Sequence, residues 1–431
     1  MADDDLLFST RDLLIGTATA SLQIEGGDRN NNWYDWASLP GTIKDGSTPL
    51  RATDHWNRWR EDTALMAELG LQVYRMSVEW SRIEPRPGEF DSAVLDRYRE
   101  EIDAIRAAGI QPLVTLHHFS HPSWFQGLGE WTSDAAPDLF LRFVDTVVRA
   151  LGDRVADWVT INEPNVYAVQ GHLFGEAPPA RRSWTGVRKV LRHMAIAHCR
   201  AYRRIHELVP DARVGFAHHA RVFEPRNPRN PFHRAMTAFD RTLFQDVIAD
   251  AMLGGRFARV LGSAPDDIAP GRYYDYLGIN YYSRTAVTGI SDGTFPGAPV
   301  NDLGWEIHPA GLIDVARDLH RRYPAPIWVT ENGTADAADA FRARFVHDHL
   351  AAIAGSDLPF ERYYHWCFVD NWEWAEGESQ RFGIVALDYE TQERTVRDSG
   401  RFLAQVIADG GVTRANHDRF VAPQAYSTEP R

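Results

Sequence analysis

The chain has 431 residues, 44% hydrophobic and 24% charged, with 46 Lys and Arg against 59 Asp and Glu for a formal net charge of −13. This composition suits a folded protein with a large core and argues against a disordered chain. No apolar run approaches the roughly eighteen residues of a membrane span, so no membrane insertion is expected. The negative balance repels phosphate backbones and anionic lipid, so no nucleic-acid partner is expected either.

The chain opens MADDDLLFST, acidic where a secretory signal carries positive charge ahead of an apolar run, which points to a cytoplasmic protein. From there short apolar runs alternate with longer amphipathic segments, without the composition break of a linker. Candidate strands cover 13–18, 71–78, 111–117, 156–161, 213–217, 276–280, 327–330 and 363–369. Between them, 92–108 places Val94, Tyr98, Ile102 and Ile105 on one helical face, and 137–151 does the same with Phe140, Phe143, Val144 and Val147. Asp54 reads as an N-cap for the helix that follows, and Gly70 and Gly109 stand where helices should stop. Cys199, beside His198 on a helical stretch, reads as buried packing. Cys367 is distant, so neither a disulfide framework nor a metal-ligand spacing is present. EPRNPRNPF at 224–232 and GISDGTFPGAPVNDLGW at 289–305 read as long loops after the fifth and sixth strands. Eight strands alternating with helices predict an α/β fold, a single (β/α)8 TIM barrel over 1–431. A doubly wound open sheet fits the alternation too, but no strand runs into a GxGxxG turn.

A barrel keeps its chemistry at the carboxyl ends of its strands. Strand one runs into Gln23 and Glu25, strand two carries Arg75, strand three ends in His117 and His118, and strand four in Asn162, Glu163 and Pro164. Strand six ends in Asn280, Tyr281 and Tyr282, and strand seven in Glu331 and Asn332. Strand eight holds Trp366 and leads to Asp370, Asn371, Trp372, Glu373 and Trp374. Glu163 and Glu331 each directly follow an apolar strand, on opposite sides of the barrel. A lone strand-end Glu serves as readily to cap a helix or pair with Arg. Two facing each other among Asn and aromatic residues have the parts for glycoside hydrolysis, one protonating the leaving oxygen while the other attacks or activates water. Aromatic residues make up 12% of the chain; most are core, but their faces also stack on the C–H groups of sugar rings. His117, His118, His121, His218 and His219 lie near strand ends. No His-x-His pair follows strand one and no Cys or Asp completes a ligand set, so no metal is expected.

The ordered segments GTATASLQIEGG (16–27), YRMSVEWSRIEP (74–85), TLHHFSHPSWF (115–125), TINEP (160–164), LGINYYSR (277–284), GWEIHP (304–309), VTENG (329–333) and FVDNWEWAEGESQRFGIVALDY (368–389) span nearly the whole chain. Together they resemble glycoside hydrolase family 1. The resemblance implies a retaining, cofactor-free (β/α)8 β-glycosidase, like a β-glucosidase, that removes a terminal sugar from a small-molecule or oligosaccharide β-glycoside, with β-galactosides and β-fucosides as further substrates. Carried over, Glu331 is the nucleophile and Glu163 the acid and base, with Arg75 and Tyr282 contacting the nucleophile. Burial and the charge of Glu331 should raise the pKa of Glu163. Gln23, His118, Asn162, Asn280, Glu373 and Trp374 are implied sugar contacts, Trp366 the platform under the ring and Phe382 the wall near its 6-position. Phe119, Asn165 and Trp305 fall on the aglycone side, with Trp124 a further candidate for its outer wall. Glu373, Glu376 and Glu378 would repel a phosphate, which implies a neutral sugar. The chain departs from many relatives at Phe119, Ser120, His121, Asn165 and Glu378, mostly away from the sugar contacts. A transglycosidase would use the same site. A non-catalytic sugar-binding module would not need both carboxylates. The sequence carries no signal for oligomeric state.

Overall fold

The computed structural model describes residues 5–430. Residues 1–4 and 431 lie outside it, and with them part of the acidic amino-terminal run and the two ends of the 1–431 span. Eight parallel strands close into a barrel: β1 (Leu14–Ala18), β2 (Val73–Ser77), β3 (Gln111–His117), β4 (Asp157–Asn162), β5 (Arg213–His219), β6 (Leu277–Asn280), β7 (Ile327–Asn332) and β8 (Phe360–Trp366). Each pairs with its sequence neighbours and β8 pairs with β1, so no barrel edge is left open. The expected (β/α)8 TIM barrel is thus the fold. All eight expected strands are present, with ends displaced by up to three residues. The fifth and seventh run on through His219 and Asn332, and the eighth starts at Phe360 and leaves the ladder after Trp366.

Helices α1 (His55–Glu68), α2 (Ser92–Ala107), α3 (Ala136–Leu151), α4 (Trp184–Leu208), α5 (Val247–Gly254), α6 (Ala310–Arg322), α7 (Arg342–Ala354) and α8 (Asp398–Asp409) follow the strands in turn. The apolar stripe of α3 is wholly inside, with Phe140, Phe143, Val144 and Val147 all buried. Burying side chains of this kind is worth about 1.5–3 kcal/mol each. In α2, Tyr98, Ile102 and Ile105 are buried and Val94 is half-buried against them. Cys199 and Cys367 are both buried and unbridged.

Inside the barrel Val73, Leu113, Val159, Ala217, Tyr276, Trp328 and Tyr364 pack together. At the amino-terminal end Tyr276 stacks on Trp328 with ring centroids 3.7 Å apart, and Arg362 lies over the same indole and pairs with Asp157 at 2.7 Å. That floor closes one end and leaves the other for polar chemistry.

Two local expectations are corrected. Asp54 occupies the position before α1, but its backbone is left-handed (φ 51°) and its side chain caps no helical N–H; it accepts from Asn57 Nδ2 at 2.6 Å instead. Gly70 and Gly109 do end their helices, at φ +69° and +79°. The stretch 224–232 is not one loop. Val222–Pro225 is a strand pairing in parallel with Arg284–Val287, and a helix begins at Pro231, with the Asn230 side chain accepting from Phe232 N at 2.9 Å. Only 226–230 joins them.

Candidate active site

Glu331 and Glu163 end β7 and follow β4, and both strands slip register just before them, between Val329 and Glu331 and between Val159 and Asn162. Such irregularities re-aim side chains at the rim of a sheet. After Glu331 the chain passes so near Trp366 that a Cβ on Gly333 would lie 1.8 Å from the Trp366 carbonyl oxygen; only glycine permits that approach. Glu163 has φ 42°, a left-handed conformation in a non-glycine residue. It is held there by its N–H donating to Ala217 O at 2.8 Å and by the helix Pro164–Val169 that it opens. Phe119 (φ 67°) and Trp374 (φ 48°), which pack on each other, share this conformation.

Arg75, fully buried on β2, links the two carboxylates' surroundings across the barrel. Its Nη1 donates to Glu331 Oε1 at 2.5 Å and to Thr330 O at 3.2 Å, Nε to Thr115 Oγ1 at 3.0 Å, and Nη2 to Asn162 Oδ1 at 2.7 Å. Tyr282 OH donates to the other oxygen of Glu331 at 2.7 Å. Asn280 Nδ2 bridges Asn162 Oδ1 (3.0 Å) to Glu163 Oε1 (2.8 Å), while its Oδ1 accepts from Thr330 at 2.7 Å. A chain of hydrogen bonds thus runs from Glu331 through Arg75, Asn162 and Asn280 to Glu163.

Burial and repulsion by Glu163 push Glu331 up to about 7 against the pull of Arg75. Burial also acts to raise Glu163, but a charged His219, 3.0 Å away, together with Asn280 and Arg75, would draw it below its ordinary value. This is opposite to the expected rise at Glu163, and it turns on the charge of His219.

Of the residues expected to meet a sugar, Gln23 contacts Glu373, and His118 contacts Asn162, Trp366 and Trp374. Gln23 Nε2 donates to Asn371 Oδ1 and Trp372 O, both at 3.0 Å, and to Glu373 Oε2 at 3.1 Å, leaving its buried Oε1 without a protein partner. His118 Nε2 lies 3.1 Å from the Asn162 amide nitrogen, a donor, so its proton belongs on Nδ1. That nitrogen is also buried and unpartnered. An acceptor on Gln23 and a donor on His118 are therefore buried and uncommitted, as hydroxyl binding requires, since an unmet buried donor or acceptor costs about 1–3 kcal/mol. The His118 ring lies between Trp366 and Trp374, near parallel to both at 5.8 and 6.0 Å. Burial, then the charge of Glu331, push Glu373 up to about 8. Phe382 is buried and Trp305, 40% exposed, sits between it and Tyr282 at the mouth.

Other expected residues fall elsewhere. Asn280 is fully buried with both amide atoms bonded to protein, so it orders the carboxylates and offers nothing to a sugar. Asn165 is buried beneath His219, donating to its carbonyl at 2.8 Å, and does not reach the aglycone side. Phe119 packs edge-on against Trp374 at 5.2 Å and beside His118, on the sugar side. Trp124 is packing: its ring meets Trp80 edge-on and its N–H donates to Glu84 O at 2.9 Å. Glu25 pairs with Arg82 outside the cavity, and Glu376 is ion-paired to Lys44. Of the strand-end histidines, His117 accepts from Trp131 and His121 meets Gln126, both in buried packing. Among the described residues no three His, Cys, Asp or Glu side chains cluster as a metal centre needs.

A family model described as Glycosyl hydrolase family 1 matches residues 8–412. The chain belongs to that family. Beta-glucosidase A of Thermotoga maritima is 32% identical, covering 93% of this chain and 97% of its own. Beta-galactosidase of Saccharolobus solfataricus is 28% identical, covering 92% and 94%. The solved structure of the Thermotoga maritima beta-glucosidase with glucoimidazole superposes with a TM-score of 0.86 at 30% identity, over 94% of this chain and 100% of that one.

In this glycosyl hydrolase family 1 site His219, which the sequence offers only as a possible metal ligand, stands against Glu163, and Arg221, which the sequence does not single out, stands behind His219. Both follow from the end of strand five. Its His218-His219 pair is the same kind of signal as the His117-His118 pair of strand three.

Proposed function

We propose that the chain is a retaining, exo-acting β-glycosidase that hydrolyses terminal, non-reducing β-D-glycosyl residues, with β-glucosides as its first substrates. The observation that carries this reading is the pair of buried carboxyls joined through Arg75, Asn162 and Asn280 beside two uncommitted polar atoms, Gln23 Oε1 and His118 Nδ1. The names of the relatives support the choice of sugar, one being a beta-glucosidase and another a beta-galactosidase.

In this reading Glu331, bound by Arg75 and Tyr282, attacks the anomeric carbon. The bond to the glycosidic oxygen breaks, and that oxygen takes the proton of Glu163 and leaves with the aglycone. The ester that forms removes the charge of Glu331, so Glu163, now ionised, draws a proton from water while the hydroxyl adds to carbon and Glu331 is released. Asn162 gives one Nδ2 hydrogen to His118 and has a second to offer the 2-hydroxyl, a donor that Asn280, with both hydrogens spent on Asn162 and Glu163, lacks. Trp366 underlies the ring, Glu373 and Gln23 share hydroxyls with His118, and Trp305 stands at the aglycone side.

The deciding experiment is hydrolysis of a panel of α- and β-nitrophenyl glycosides with the first-formed anomer followed by NMR. Turnover of β-glycosides alone, releasing the β-sugar first, is expected. An α-sugar as the first product, or turnover confined to α-glycosides, overturns the reading.

A further inference from the structure

Two donors converge on one oxygen of Glu163. Oε1 accepts from Asn280 Nδ2 at 2.8 Å and faces His219 Nδ1 at 3.0 Å. His219 in turn presents Nε2 to Arg221 Nη2 at 3.2 Å. A guanidinium has N–H donors and no acceptor, so Nε2 must be the bare nitrogen and the single ring proton must lie on Nδ1, directed at Glu163. Arg221 is itself anchored, Nη1 donating to Thr285 Oγ1 and the backbone N–H to Gln245 Oε1, each at 3.2 Å. The ring of Phe244 lies 5.7 Å from the guanidinium and meets His219 edge-on at 5.8 Å. Both Phe244 and Gln245 come from the π-helical turn Thr242–Asp246, a local widening of the kind found at functional sites.

We propose that Arg221 and His219 are positioning residues for proton transfer: Arg221 keeps His219 neutral, and His219 with Asn280 occupies Oε1 of Glu163, leaving Oε2 as the oxygen that carries the proton. The inference rests on the glycosidase reading above. In the first half-reaction the Oε2–H bond breaks and its proton joins the leaving oxygen, which keeps the electron pair of the severed bond to carbon. The negative charge left on Glu163 is already met at Oε1 by two donors. In the second half-reaction Oε2 regains a proton from water.

The other groups facing this pair fit the same picture. Burial and Glu331 push Glu373 up to about 8, and burial pushes His218 down to about 3, so both are neutral near pH 7. Tyr282 is held well above its ordinary range, first by burial and then by Glu331, and stays a donor. The charges near Glu163 are those of Glu331, Arg75 and Arg221, with Tyr281 beyond Arg221. A second proton on His219 would set a cation 3.0 Å from Glu163 and strip it of its own proton. Arg221 prevents that.

The test uses the full chain and the pH dependence of kcat/KM on phenyl and 2,4-dinitrophenyl β-glucosides. In Arg221→Met, His219 is free to charge, which favours ionised Glu163. The basic limb for the phenyl substrate should therefore fall by about one pH unit, with roughly tenfold less activity at pH 7. The dinitrophenyl substrate, which needs little protonation, should change far less. The double variant Arg221→Met/His219→Asn should restore the limb, because an amide donates without charging; a purely structural role for Arg221 would not be rescued in this way. A limb unmoved in Arg221→Met, or still displaced in the double variant, overturns the proposal. Should Arg221→Met fail to fold, His219→Ala and His219→Asn serve: losing the donor should raise the limb and Asn should leave it in place, and identical profiles overturn the proposal. Wild-type turnover and azide rescue of Glu331→Gly test the glycosidase reading separately, and if those fail this assignment falls with it.

Discussion

At the strand ends Arg75, Asn162, Asn280 and Glu331 are almost wholly buried and each is hydrogen-bonded to at least one of the others. A few side chains outward, Trp305 is 40% exposed with its ring against those of Tyr282 and Phe382, and Ile290 in the same loop is 89% exposed. The inner group cannot lose a member without leaving another with an unmet charge or donor, whereas the rim can change with little effect on its neighbours. The strand ends thus hold a fixed network of charges and donors, and the loop above them is free to vary.

The sharpest test of the contrast is Glu331→Gly, expected to lower hydrolysis of an aryl β-glucoside by more than about 10⁴-fold, with added azide restoring turnover and giving the α-glycosyl azide. A folded variant without rescue would remove Glu331 from the nucleophile's role. Next is Glu163→Ala, expected to cost about 10²–10⁴-fold on phenyl glucosides and much less on dinitrophenyl glucosides; equal losses on both would contradict proton transfer by Glu163. Tyr282→Phe removes one donor from Glu331, worth about 1–3 kcal/mol, and should lower kcat roughly ten- to hundredfold with the thermal midpoint little changed.

A smaller effect should be visible in stability alone. Glu373 is pushed up to about 8 by burial and the charge of Glu331, and Glu79, beneath the cavity and bonded to Ser21, Ser81 and Ser120, up to about 7 by burial and Asp28. The folded state therefore holds these protons more tightly than the unfolded chain does. Their stabilisation is complete below the ordinary carboxylate value and is lost as pH rises through 7 and 8. Calorimetry should show the melting temperature falling from the ordinary carboxylate range up to about pH 8 and levelling beyond it, and Glu79→Gln should remove the share lost below about pH 7. An equally steep curve in the variant would exclude Glu79 as its source. Smallest of all, Trp305→Ala should leave kcat on nitrophenyl glucoside within about threefold while reordering KM among longer aglycones. A large loss of kcat there would erase the distinction between strand ends and rim.

The barrel was legible because parallel strands covered on both faces are short apolar runs, and the carboxylates because they break such runs abruptly. Strand ends slipped where pairing continues into polar residues, as at His218-His219 and Glu331-Asn332. The expected loop 224–232 takes in the first two residues of the helix Pro231–Arg241, because prolines and asparagines signal a loop, although Asn before Pro is also a helix start, with Asn capping and Pro at the first turn. Asn280 and Asn165 could not be sorted from the sequence. Whether a strand-end amide faces a ligand or is consumed by protein depends on distances across the barrel: Asn280 has both amide atoms bonded, whereas Asn165 is held through Nδ2 and keeps a buried Oδ1 without a partner.

The parallel pairing of Val222–Pro225 with Arg284–Val287 carries the fifth and sixth crossings beyond the barrel as a brace, which Arg284 fastens to Glu224 and Glu306. Whatever lies past that brace hangs from it like a graft from a stock. Chimeras that import the 288–304 segment from another member should acquire the donor's taste in aglycones and retain the host's chemistry, provided the brace is transplanted with neither end cut.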